Sequence, residues 1–503
     1  MNPISFKCSR FFLLDKNTKI VILYVYKIDK NLEIVILNDG QWWTSTTNVT
    51  NTATNPAETQ GDNLMENNRV ISPANIIKRA GCRIFQKVFK LSIPLMPYRK
   101  PDVVNSIDDI PGILSKEGSR SVVIVTDKSM VLLGFMDRLR ILLEKAGLKV
   151  CVFYGTDVNP TIKNIKTAYR IYKWNNCDSI IALGGGSAMD CAKALGISAV
   201  YPKRSISSFR GILKVHRKLP PLIAIPTTAG TGSETTLAAV LRDEKTKEKY
   251  AISSFPLIPK YAVLDPTLTV TLPPSITAST GMDALTHAVE AYIGGSTTKE
   301  TRRHAINAVK LIFGNLEKAW ADGKNIEARR NMLKAAFDAG FAFTVSYVGY
   351  VHAMAHALGG MYNIAHGVAN AAILPVVLKA YGKAAEKKLA ELAVAAGVAT
   401  EGTPDSEAAA AFIAAIEEKN RTFGIKSEFQ ELRLCDIPQL SKMAEKEANP
   451  LYPVPVIWSR RSIAKLFTRL LSEAAATTAT IAGKSAECAI AGCATEKDES
   501  LSA

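Results

Sequence analysis

From about residue 120 the chain alternates short apolar runs with longer stretches of helical periodicity. Residues 121–126 (Ser-Val-Val-Ile-Val-Thr) are an unbroken buried-strand pattern, followed by a helical pattern to Ala146 and a stop at Gly147. Residues 149–154 give the next strand, and 161–175 suit a helix behind Asn159 and Pro160. Residues 179–183 run straight into Gly184, Gly185, Gly186 and Ser187, with a helix from Ala188. A further strand at 222–225 ends in the threonine- and glycine-rich segment 226–232. Strands that are apolar on both sides and separated by helices predict βαβ units around a parallel sheet covered on both faces. Beyond about 275 the strand signal disappears. Amphipathic stretches at 275–293, 299–320, 326–346, 350–358, 367–380, 383–396 and 406–422 make the second half helical.

The two ends follow neither rhythm. Residues 1–37 hold β-rich apolar runs broken by lysines. Residues 44–69 are polar and of low complexity and read as linker or disorder, and 474–503 are rich in Ala, Thr and Ser. At 503 residues the chain exceeds one ordinary core. The expected division is an extension at 1–80, poorly ordered in part, an α/β domain at 81–272, an all-α domain at 273–473 and a low-complexity tail at 474–503. The first 80 residues carry no functional reading.

Charge and cysteine usage exclude several classes. A net charge of +16 raises the question of nucleic acid, yet basic residues are interspersed with acidic ones and no nucleic-acid motif is present. The densest cluster, Lys203, Arg204, Arg210, Lys214, Arg217 and Lys218, reads as a solvated face. Nucleic acid is therefore not expected as a partner. The eight cysteines are scattered without a CxxC pair, and Cys151, Cys177 and Cys191 read as buried, reduced thiols. That favours a reducing compartment, here the cytoplasm, over a secreted disulfide scaffold. No run of 18 apolar residues exists to span a membrane, and the apolar run 20–26 is short and followed by Lys27, which suits a signal peptide poorly.

Three of the six histidines, His352, His356 and His366, fall within fifteen residues. About sixty residues earlier stand Asp283 and His287, four apart, as are His352 and His356. On a helix that spacing stacks side chains on one face a turn apart, where two of them can point at one ion. A carboxylate with several imidazoles suits a borderline divalent metal such as Fe(II) or Zn(II), and argues against calcium or magnesium. The glycine turn at 184–186 joins a strand's C-terminal end to a helix's N-terminus, where free N–H groups and the helix dipole favour a diphosphate. It is not the GxGxxG fingerprint. The segment 226–232 supplies hydroxyls and glycines at another strand end, the rim where open α/β sheets bind nucleotides. Asp127, ending the first strand, suits either ribose hydroxyls, with repulsion of a 2′-phosphate, or helix N-capping.

Taken together, residues 125–127, Gly184–Asp190, 226–231, Gly281–His287 and 351–370 resemble the iron-containing (group III) alcohol dehydrogenases over roughly residues 92–472. The resemblance implies a dehydroquinate-synthase-like fold, with an α/β N-terminal dinucleotide-binding domain and an all-α C-terminal domain. It implies Asp283, His287, His352 and His366 as ligands of one divalent metal, Fe(II) foremost with Zn(II) as the alternative. His356 would then be a proton-relay residue beside nicotinamide and substrate. Gly185, Gly186 and Ser187 would cradle the diphosphate of NAD(H), and Asp127, Asn159, Pro160, Asp190, Thr227, Thr228, Thr231 and Lys249 would line the rest of its cleft. The implied enzyme is an NAD-dependent alcohol dehydrogenase or aldehyde reductase acting on a small-molecule alcohol or aldehyde as a homodimer. In such chemistry the metal stabilises the alkoxide from which hydride leaves, and the nicotinamide carries the hydride. Two other readings remain. One is a polyol dehydrogenase of glycerol or propanediol type with the same fold; the other is a non-catalytic nucleotide-binding protein. The fourth ligand weighs against the glycerol branch, and the intact ligand set weighs against a non-catalytic one. Phe343, Val348 and Tyr350 are candidates for the substrate wall or for plain core packing.

Overall fold

A computed structural model describes residues 8–14, 20–28, 31–38, 41–44, 73–244 and 249–472. Two compact units divide the chain, residues 1–70 and 71–503. In the first, strands β1 (Cys8–Leu14), β2 (Ile20–Ile28), β3 (Asn31–Asn38) and β4 (Gln41–Thr44) pair antiparallel in chain order. The polar stretch at 45–69 and the tail from 474 lie outside the described residues.

The second unit opens with helix α1 (Pro73–Ser92), which runs through residue 80 without a break. Its Gln86 donates to the Tyr452 carbonyl (2.7 Å) and its Arg83 to the Val454 carbonyl (2.7 Å), fastening it to the far end of the chain. The α/β half follows as β5 (Asp102–Val104), α2 (Ile110–Lys116), β6 (Ser121–Val125), α3 (Lys128–Leu132), α4 (Phe135–Lys145), β7 (Lys149–Phe153), α5 (Ile162–Trp174), β8 (Ser179–Gly184), α6 (Gly186–Val200), β9 (Gly211–Ile212), β10 (Leu222–Pro226), β11 (Ala238–Arg242), β12 (Lys249–Ser253) and β13 (Tyr261–Val263). Six of these strands form a parallel sheet in the order β5-β13-β10-β8-β6-β7, and β11-β12-β9 form a small second sheet.

The unbroken apolar runs have a simple cause. In β6, Val123 and Val125 enter one core with Ile165 of α5 and Leu195 of α6, while Val122 and Ile124 enter the opposite core with Ile113, Leu139 and Leu143. Successive side chains point to opposite faces, so a sheet covered on both faces needs apolar residues at every position. The helical stretch expected up to Ala146 is two helices, because Gly134 between α3 and α4 adopts φ 74°.

The helical half comprises α7 (Pro274–Ile293), α8 (Lys299–Ala321), α9 (Ile326–Ser346), α10 (Tyr350–Tyr362), α11 (His366–Tyr381), α12 (Glu386–Ala396), α13 (Asp405–Thr422), α14 (Ile437–Ala448) and α15 (Arg460–Thr468). Helix α7 is buried without a break from Gly281 to Ile293. A helix apolar on nearly all sides belongs inside, and α8, α9 and α11 enclose it. Among the described residues no helix is long and apolar enough to cross a membrane. Free thiols stand at Cys82, Cys151, Cys177, Cys191 and Cys435; Cys177 and Cys191 are buried as expected, whereas Cys151 is half-buried.

Candidate active site

The carboxyl ends of the central strands are tied together before any site is built. Thr126 donates through its hydroxyl to the Leu183 carbonyl (2.8 Å) and through its N–H to the Phe153 carbonyl (2.8 Å), joining β6 to β8 and β7. Asp127 then caps α3: its Oδ1 accepts from the N–H groups of Ser129 (2.8 Å) and Met130 (3.3 Å). The second oxygen remains on the glycine turn, since a Cβ at Gly184 would lie 3.2 Å from Asp127 Oδ2. Asp127 thus caps α3 with one oxygen, as one of its two expected roles requires.

Gly184 adopts φ 147°, a conformation that side chains avoid, and so turns the chain from β8 into α6. The first turn of α6 leaves N–H groups without intrahelical partners at a dipole's positive end. Thr227 N–H holds the Gly184 carbonyl (3.1 Å). Hypothetical Cβ atoms would lie 3.5 Å from Thr228 Oγ1 at Gly185 and 3.1 Å from Thr231 Cγ2 at Gly186. Ser187 donates to the Val158 carbonyl, and Arg242 N–H to the Pro160 carbonyl (2.9 Å), which brings the Asn159–Pro160 loop to the same rim. Asp190 is engaged differently. Its oxygens accept from Ser233 Oγ and Val240 N–H (3.0 Å each), holding segment 233–240 against α6.

Lys193, absent from the sequence reading, completes that clamp. Fully buried, it donates from Nζ to Ser233 O (2.7 Å), Thr236 Oγ1 (2.6 Å) and Ala238 O (2.8 Å). Burial pulls its ammonium down to about 8, and nearby Asp190 and Glu234 pull the other way. The i, i+3 spacing of Asp190 and Lys193 was the available signal. Lys249 stands exposed on β12, and its charge opposes protonation of His356 and His366.

The threonine–glycine segment also forms the seam to the helices. A Cβ at Gly230 would lie 2.6 Å from Thr280 Cβ, so the loop that flanks the glycine turn packs directly on α7, one turn before Asp283.

Asp283 and His287 lie on that helix, His352 on α10 and His366 at the start of α11. One donor atom from each falls within 4.8 Å of the others. His366 Nε2 is 3.5 Å and His352 Nε2 4.0 Å from Asp283 Oδ1. Gly367 lets α11 reach this position, since a Cβ there would lie 2.4 Å from the Ser279 carbonyl oxygen of α7. His287 stacks between Phe343 (4.2 Å) and His352 (4.5 Å), which places Phe343 at the site, whereas Tyr350 is buried against Trp458. Asn370, one turn after His366, directs Nδ2 at Asp283 Oδ1 (2.7 Å), His366 Nε2 (3.1 Å) and His352 Nε2 (3.2 Å).

The donor set fits a divalent cation. Burial lowers the imidazoles of His287, His352 and His366, the last to about 4, so each offers a neutral ring with a lone pair. His287 Nδ1 and Asn370 Oδ1 are buried without a hydrogen-bond partner. Three imidazoles and one carboxylate match iron or zinc better than calcium or magnesium.

His356 stands outside this group. Its ring stacks on His366 (5.1 Å, 14° between planes), its side chain is 46 % exposed, and its Nδ1 lies 2.6 Å from Glu447 Oε1. Glu447 also accepts from Tyr452 OH (2.7 Å). Desolvation by the neighbouring protein disfavours the imidazolium, but the Glu447 carboxylate outweighs it and raises His356 overall. Glu290 and Glu447 were not found from sequence. Glu290 falls seven residues after Asp283 and three after His287, on the stripe that spacing had already marked; Glu447 comes from α14 and had no local signal.

The residues on either side of the seam match known proteins. A family profile described as iron-containing alcohol dehydrogenase matches residues 103–266, and one described as the C-terminal part of the Fe-containing alcohol dehydrogenase family matches 277–471. The 1,3-propanediol dehydrogenase of Citrobacter freundii is 38 % identical over 385 residues, covering 76 % of this chain and 98 % of that protein. The NAD-dependent methanol dehydrogenase of Bacillus methanolicus is 36 % identical over 341 residues, 67 % of this chain and 89 % of that one. A crystal structure of a 1,3-propanediol oxidoreductase superposes with a TM-score of 0.71 at 36 % identity, covering 74 % of this chain and 98 % of that chain.

Proposed function

The chain belongs to the iron-containing alcohol dehydrogenase family and is an NAD-dependent alcohol oxidoreductase, and from that premise we propose how its residues divide the work. Asp283, His287, His352 and His366 hold the metal. The observation that carries this is the convergence of their four donor atoms within 4.8 Å in a largely buried place. When bound there, the cation supplies a Lewis acid that stabilises negative charge on the alcohol oxygen.

Gly185, Gly186 and Ser187 hold the diphosphate at the start of α6, where N–H groups and dipole attract it. Asp127 turns its free oxygen to the ribose and disfavours a 2′-phosphate. Asn159, Pro160, Thr227, Thr228, Thr231 and Lys249 line the cleft, with Asp190 keeping segment 233–240 in place behind it. His356 passes the proton between the reacting oxygen and solvent, supported by its exposed position beside His366 and its bond to Glu447. Phe343, stacked on His287, contributes to the substrate wall.

The substrate is a small primary alcohol or its aldehyde. A short diol is the second reading, favoured by the propanediol dehydrogenase at 38 % identity. Free thiols at five cysteines suit a reducing compartment such as the cytoplasm, and the working form is a homodimer. Metal analysis of the purified protein, followed by NAD(H)-coupled rates on a panel of alcohols, diols and aldehydes, tests the proposal. One metal per chain with turnover of at least one short alcohol is expected. A protein that binds no stoichiometric metal overturns the ligand assignment.

A further inference from the structure

We propose that Glu290 is a positioning residue of the metal centre: it fixes the tautomer and orientation of His352 while capping the helix that carries it. The inference rests on the metal-site reading above.

Glu290 shares the buried face of α7 with Asp283 and His287, and its side chain is 1 % exposed. Its two oxygens have separate tasks. Oε2 lies 2.6 Å from His352 Nδ1, and Oε1 accepts the N–H of Val351 at 2.8 Å. The N–H groups of Gly349, which precedes α10, and of His352 in its first turn also bear on the carboxylate. Gly349 leaves the room, since a Cβ there would lie 2.7 Å from Oε1.

An ionised carboxylate only accepts hydrogen bonds. With Glu290 ionised, the shared proton sits on His352 Nδ1, and Nε2 keeps the lone pair that faces Asp283 and Asn370. The carboxylate thus joins two ligand-bearing helices through one buried contact. Removing such a support behind a metal-bound histidine commonly weakens metal binding by about 10–100-fold.

Glu290→Gln separates the two tasks. Gln has one acceptor oxygen. Turned to Val351 N–H, it presents an amide N–H to His352 Nδ1 and moves the ring proton to Nε2. Turned to His352, it opposes the helix N–H groups with its own. Glu290→Asp keeps the charge but falls one methylene short of His352. Zn2+ affinity is measured by competition with a chromophoric chelator, the Co2+-loaded proteins are compared by their visible absorption, and folding is checked by circular dichroism. Wild type is expected to bind one metal per chain, with both variants folded, about 10–100-fold weaker for Zn2+ and shifted in their Co2+ bands. Variants that bind Zn2+ within threefold of wild type with unchanged Co2+ bands overturn the inference, even if they melt earlier. Loss of the fold in both variants also counts against it, because Glu290 would then serve the helix junction alone. If wild type takes up no stoichiometric metal, the metal-site reading itself fails first.

Discussion

Replacing Gly367 by Ala adds one methyl group, and the structure sets its effect. The new Cβ would sit 2.4 Å from the Ser279 carbonyl oxygen, a backbone atom inside α7 that has no rotamer to change. Carbon–oxygen contacts settle at about 3.3 Å or more, so α11 must move off α7 by about 0.9 Å. His366, the preceding residue, moves with it. Metal ligands keep their distances to about 0.2 Å, so a shift of that size takes His366 out of bonding range of a cation held by Asp283. Four-ligand zinc sites bind with about 10–16 kcal/mol; one ligand in four is worth about 3 kcal/mol, or about 10²-fold in affinity. Chelator competition with Zn2+ measures this directly. The control is Gly314→Ala on α8, whose Cβ meets nothing within 4 Å; it should bind as wild type and be as stable or slightly more so. A Gly367→Ala protein that binds Zn2+ within threefold of wild type would falsify the claim that this contact sets the position of His366.

Four further outcomes are expected. His352→Ala should retain the fold and lose most of its metal; equal metal content in variant and wild type by elemental analysis would exclude His352 as a ligand. His356→Ala should keep the metal while kcat falls by about 10²-fold, and an unchanged kcat and pH–rate profile would end the relay role. Asp127→Asn preserves an acceptor for Ser129 N–H but removes the charge, so the kcat/KM preference for NADH over NADPH should shrink, and a native preference for NADPH would contradict the argument. Lys193 is a base lowered to about 8 in the folded protein from an ordinary 10.5. Below about 8 it is charged in both states and burial disfavours folding in full; between about 8 and 10.5 only the unfolded chain stays charged, so that burden is relieved as pH rises. The unfolding free energy of wild type relative to Lys193→Met, from urea titrations, should therefore climb across that window, and a flat difference refutes it.

The sequence made the helices legible because their apolar periodicity is set by burial in one large core. The expected 326–346 and 299–320 stand beside the observed Ile326–Ser346 and Lys299–Ala321. Strands β5 and β13 carry only three residues each, too few for a pattern, and exist because β10 offers them a parallel neighbour. The histidine spacing brought out the residues whose donor atoms the fold gathers, but spacing could not separate His352 from His356. That distinction depends on where α14 and α11 place Glu447 and His366 around α10. Asn370 and Lys193 each stand one turn from a neighbour on the same helix, His366 and Asp190, but their other partners come from different elements and leave no trace in a local window. Asp127 suits capping or ribose contact from its sequence position, and its capping of α3 uses one oxygen while the other lies against Gly184.

The four residues proposed to hold the metal are spread along the chain in a way that matters during synthesis. Every strand of the six-stranded sheet is complete by Val263, before Asp283 is made, whereas His366 follows Asp283 by 83 residues. At about 5–20 residues per second, that gap occupies about 4–17 s of translation. During that interval α8 and α9 become available to pack on α7, while His366 and the rest of α11 do not yet exist. On the proposed ligand assignment, the four-residue site is complete only once His366 has been made, after every strand of the sheet.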